Sequence, residues 1–93
     1  MSLVDQGPTM PRTRTSTYDD SYRRLLEMLR AAREAKGVVQ DELADRLGMS
    51  QSMLSKLETG VTRIDLPELL SYLAALNEDP IEFLKAYLKR IKT

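Results

Sequence analysis

Apolar residues recur at helical spacing in five separate stretches, and no stretch shows the period-two alternation of a half-buried strand. The first stretch runs from Asp19 to Lys36. It places Tyr22, Leu25, Leu26, Leu29 and Ala32 on one face, with Asp19 and Asp20 at the end where the helix dipole favours negative charge. Gly37 is its natural stop. The second, QDELADRL, covers residues 40–47, turns Leu43, Ala44 and Leu47 inward and stops at Gly48. The third covers residues 51–59, with Ser50 as N-cap and Met53, Leu54 and Leu57 facing inward. In the fourth, Asp65 and Glu68 have capping-box spacing and Pro67 falls in the first turn. That helix carries Leu66, Leu69, Leu70, Leu73 and Leu76, and Asn77 closes it. The fifth has the clearest start, with Asp79 as N-cap, Pro80 at the first helical position and Glu82 two residues later. It runs to about Ile91, with Lys85, Lys89, Arg90 and Lys92 towards the end that favours positive charge.

These elements predict an all-α domain of five short helices over residues 19–93. Residues 1–18 have no periodicity and contain Gly7, Pro8 and Pro11, which predicts a flexible, disordered N-terminal tail. Two arginines in it, Arg12 and Arg14, are either an arm for a nucleic-acid minor groove or solvated tail. The fifth helix has two adjacent apolar stripes. Ile81, Leu84, Leu88 and Ile91 form one, enough for a core, and Phe83 with Tyr87 forms the other. The second stripe either buries against another subunit, as a dimer interface, or packs within the monomer.

Composition narrows the function. The 93 residues balance 14 Lys and Arg against 14 Asp and Glu, which argues against indiscriminate binding to polyanions. The chain has no Cys and no His. That excludes disulfides and Cys/His zinc sites and removes the usual general base and thiol nucleophile, so no enzyme is expected. The acidic residues Asp19, Asp20, Asp41, Glu42 and Asp45 read as helix N-terminal charge, not as a metal site. No cofactor, metal or small-molecule ligand is expected. No apolar run approaches the roughly 20 residues that span a membrane, and a cytoplasmic protein is the default expectation.

The third helix carries the chemistry. Opposite its leucines lie Gln51, Ser52, Ser55, Lys56 and Thr59, a mostly uncharged face rich in hydrogen-bonding groups. A merely solvated face would favour Glu and Lys. Two short helices joined at Gly48 have helix-turn-helix dimensions, and Ala44 is small where they would approach. A helix about 10–12 Å across fits a DNA major groove about 12 Å wide. There Gln51 could bond adenine at N6 and N7, Lys56 guanine at O6 and N7, and Ser52 either base.

Residues 26–76 resemble the helix-turn-helix domains of the phage lambda repressor and Cro type, the Xre-like family. The resemblance rests on Arg33, on Gln40, Leu43 and Ala44 in QDELA, on Leu47 with Gly48, and on Ser50, Leu54 and Leu57. It continues through Glu58 to Gly60 in ETG and the leucines of LPELLSYLAAL. It implies a lambda-repressor-like fold and a small transcription regulator, repressor-like, that binds double-stranded DNA as a homodimer. It further implies that Gln51, Ser52, Ser55 and Lys56 read bases. Gln40, Thr59 and Arg63 would hold phosphates with help from Lys36, and Gln40 would also brace the start of the third helix. Arg33 and Glu58 would form a partly buried structural ion pair. Two departures stand out. Val39 replaces the polar cap common before Gln40, and Asp41, Glu42 and Asp45 make the second helix acidic, so Lys36, Arg46, Lys56 and Arg63 must offset them. The neutral charge and that acidic helix leave a rival with the same fold, a protein-interaction module such as an antitoxin or adaptor.

Overall fold

Gly48 and Gly60 set the geometry around the third helix, because each ends a helix in the left-handed region, at φ 69° and 85°. Glycine enters that region without steric cost. At Gly60 a side chain would also crowd Leu26, whose Cδ1 lies 3.3 Å from where a Cβ would stand. The computed structural model describes residues 11–92, with side chains for residues 20–91. Among them run five helices, α1 (Pro11–Ala35), α2 (Gln40–Leu47), α3 (Gln51–Thr59), α4 (Leu66–Ala75) and α5 (Pro80–Lys92).

Four of the five helices begin where the sequence places them, and the caps explain why. The Ser50 side chain accepts from the Met53 N–H at 3.1 Å. Asp65 and Glu68 form a reciprocal capping box, at 2.8 and 3.0 Å. Asp79 accepts from the Ile81 N–H ahead of α5. Asn77 takes a positive φ of 63° after α4, and α2 starts at Val39 without a side-chain cap, as expected.

The exception is α1, which begins at Pro11 and not at Asp19. Proline suits a first helical position, where its missing N–H costs nothing, and neither glycine nor proline interrupts residues 12–35. Much of the expected tail is therefore helix, and Arg12 and Arg14 fall within α1 instead of an extended arm. The rest of that tail, residues 1–10, lies outside the described residues.

Leu26 and Leu29 of α1 meet Val38, Leu43, Ala44, Leu54, Leu69, Tyr72, Leu73, Leu76 and Phe83 in one core. Helix α2 packs on α3 and α4, and α1 packs on α3 and α5. Each helix is too short to stand alone, so this packing holds it. Two faces differ from expectation. On α4, Leu66 and Leu70 are exposed while Tyr72 is buried among the leucines. On α5, Ile81 and Leu88 are exposed, whereas Phe83 joins the core and the Tyr87 hydroxyl donates to the Ser21 carbonyl at 2.9 Å. Phe83 thus packs within the monomer, and Tyr87 is half-buried with its hydroxyl tied to α1.

Candidate nucleic-acid interface

Helices α2 and α3 are joined by Gly48, Met49 and Ser50 alone. The Met49 N–H donates back to Ala44 O at 3.0 Å, and Ala44 is buried at the crossing, which lets the two backbones approach. Helix α3 is fastened by Leu54, Leu57 and Glu58, all buried. Met53, expected inward, is 42% exposed. It lies about a quarter-turn from the centre of that buried face, which extends on the other flank to Glu58. Ser52, Lys56 and Thr59 are exposed on the opposite side, Ser55 is half-buried, and Gln51 is exposed at the start of the helix.

The base of this platform is a buried polar network. Arg33 donates to Glu58 through Nε at 2.8 Å and Nη2 at 3.0 Å, and its Nη1 reaches the Val38 carbonyl at 3.0 Å. The Tyr72 hydroxyl lies 2.6 Å from Glu58 Oε2 and 3.2 Å from Leu29 O. Its single proton goes to the nearer, charged acceptor. Gln40 Nε2 donates to Glu58 Oε1 at 2.9 Å, and Gln51 Nε2 donates to Gln40 Oε1 at 3.2 Å. Gln40 therefore braces the start of α3.

Burial alone would push the Glu58 carboxyl up, but hydrogen bonds from Arg33, Tyr72 and Gln40 outweigh it and hold the group below its ordinary value. The Glu58 hydrogen bond raises Arg33. Burial, and then Glu58, pushes the Tyr72 phenol well up. The signs follow from linkage. A depressed carboxyl contributes stability above its unfolded value, about 4.3, and loses it as pH falls through the folded value. A raised phenol contributes below its unfolded value, about 10, and loses it as pH rises beyond. Thermal unfolding should show a plateau between these limits. Tyr72→Phe should remove the phenol's share of the alkaline loss, and an unchanged alkaline limb would contradict this assignment.

The helix-turn-helix family model matches residues 29–83, which contain α2, the turn and α3. A solved structure, an XRE-family like protein from Pseudomonas syringae pv. tomato str. DC3000, superimposes with a TM-score of 0.79. It is 33% identical, over 84% of this chain and 95% of that one. The chain belongs to the XRE-type helix-turn-helix family. That family is one of DNA-binding regulators. No curated protein sequence matches significantly. Among the described residues no helix is long and apolar enough to cross a membrane.

Within this XRE-type domain the residues expected at phosphates are placed unequally. Arg63 is exposed and lies over the Tyr22 ring, 4.2 Å from its centroid, beside the α3–α4 connection. The Tyr22 hydroxyl accepts from the Ile64 N–H at 2.9 Å, which ties that connection to α1. The Thr59 hydroxyl donates to the Ser55 carbonyl at 2.8 Å, so it turns lone pairs and not a proton outward. Lys36 is drawn towards Glu78, 3.6 Å away. Arg46 is tied to the Ala75 carbonyl and to Glu42.

Two features escaped the sequence. Tyr72 lies three residues after Leu69, on the buried face, and a buried phenol needs a partner; that signal was available. Arg23 and Arg30 of α1 line a cleft of about 290 Å³ together with Thr59. Only the packing of α1 against α3 brings those arginines beside the interface.

Proposed function

We propose that this domain binds double-stranded DNA with α3 in the major groove and acts as a repressor-like transcription regulator. Gln51, Ser52, Ser55 and Lys56 read base edges, and Gln40, Arg63 and Thr59 set register on the phosphates. To reach a phosphate Thr59 must release the Ser55 carbonyl and Lys36 must leave Glu78. The observation that carries this reading is the two-sided character of α3. One face is fixed by Leu54, Leu57 and Glu58, and the opposite face offers exposed, mostly uncharged hydrogen-bonding groups. Two copies related by a two-fold axis would meet half-sites about 34 Å apart.

Selection from a random duplex library tests this directly. The expected product is a palindromic motif. Gln51→Ala should erase the preference at one base pair per half-site, worth about 1–3 kcal/mol. Arg63→Ala should weaken binding to every sequence and lower the salt slope by about 1. A Gln51→Ala profile identical to that of the parent would refute the role of α3.

The protein-interaction reading draws on the exposed carboxylates Asp41 and Asp45 of α2. Salt separates the two readings, because phosphate neutralisation makes duplex affinity fall steeply with ionic strength. Affinity for a protein partner with no salt-dependent duplex binding would favour the rival.

A further inference from the structure

Every lone-pair position of the Glu58 carboxylate is occupied. Oε1 accepts from Arg33 Nη2 and Gln40 Nε2, and Oε2 accepts from Arg33 Nε and the Tyr72 hydroxyl. An ionised carboxylate only accepts. Gln40 must therefore turn its amide nitrogen inward, which turns its carbonyl oxygen towards α3. A carbonyl oxygen cannot donate, so Gln51 has to give it an N–H, and it does so at 3.2 Å. The tip of Gln51 is left with its own oxygen and a second N–H, an acceptor beside a donor.

We propose that Glu58, acting through Gln40, is a positioning residue that fixes which way round Gln51 presents its amide and so commits that position to an adenine edge. Arg33 and Tyr72 hold the carboxylate in place. The inference rests on the DNA-reading assignment above and adds the residue that gives it direction. Adenine shows an N6–H donor beside the N7 acceptor, the complement of the Gln51 tip. Guanine shows two acceptors, O6 and N7, and would set a lone pair against the fixed Gln51 oxygen. An unbraced glutamine amide can rotate to offer N–H to either purine. The choice of base thus begins in the core, at a carboxylate that never touches DNA.

Two measurements test the relay. In the free, isotope-labelled protein, the two Gln51 side-chain amide protons should resonate away from the positions of a solvent-exposed glutamine. Gln40→Met should move both to the positions of a solvent-exposed glutamine. In duplex-library selection, the unaltered protein should prefer adenine at the pair whose preference Gln51→Ala abolishes. Gln40→Met and Glu58→Gln should each cut the adenine-over-guanine preference there about tenfold, the scale of one bidentate pair. Preferences at the other positions should persist, whereas loss of a phosphate contact or of stability would weaken all sequences alike and leave the adenine preference in place. Tyr72→Phe should give a smaller loss in the same direction. Should Glu58→Gln fail to fold, with Arg33 left uncompensated, Gln40→Met carries the test. A folded Gln40→Met protein with unmoved Gln51 resonances, or with undiminished adenine preference, overturns the proposal. If the unaltered protein selects no motif, the DNA-reading assignment fails, and the free-protein resonances separate that failure from failure of the relay.

Discussion

Glu58→Ala is expected to destabilise the domain by about 3–5 kcal/mol, the cost of stranding a buried charge. A domain of this size has roughly 5–10 kcal/mol in total, so the variant should be close to unfolding. The cause is specific. Arg33 would keep its guanidinium buried, with only the Val38 carbonyl at 3.0 Å as acceptor. Gln40 would lose its inward partner. Tyr72 would lose least, because its hydroxyl also lies 3.2 Å from the Leu29 carbonyl. Replacing both charges, as Arg33→Met with Glu58→Leu, should recover most of the loss, since a buried pair contributes little net stability against well-packed apolar side chains. Urea denaturation checks this, with the midpoint falling in the single variant and returning in the double. A double variant that loses as much as the two single substitutions added together would show that Arg33 and Glu58 act independently.

The second large effect belongs to Leu54. It is 0% exposed and anchors the middle of α3. Leu54→Ala should cost about 2–5 kcal/mol, through lost transfer energy and the cavity left behind. The nine-residue α3 has little stability of its own. Loosening its anchor should therefore weaken duplex affinity as well, although Leu54 faces away from the duplex. Hydrogen exchange should show the α3 amides opening more than those of α4. Uniform opening across both helices would mean that α3 is not separately anchored.

Local chemistry made the helix boundaries legible. Ser50, Asp65 with Glu68, and Asp79 satisfy backbone N–H groups within a few residues of themselves, and the structure shows those bonds. The outward face of α3 was legible for a similar reason, because a nine-residue helix sorts its side chains by angle alone. Packing decided the rest. Nothing near Phe83 or Tyr87 reveals that α1 packs against α5 and supplies the Ser21 carbonyl. Met53 is apolar and reads as inward, but the buried face of α3 extends past the leucines on the other flank, to Glu58, which Arg33 neutralises. The early start of α1 was hidden by the weak helix preference of Thr13 to Thr17, which a helix already nucleated further along can override.

The most direct test maps the interface residue by residue, by titrating isotope-labelled protein with duplex DNA and following its amide resonances. The account predicts that the largest changes fall on residues 51–56, with Gln40 and the connection around Arg63 next, and that α5 stays unchanged. Changes centred on Ile81 and Leu88 of α5, with Gln51 and Ser52 unmoved, would contradict it.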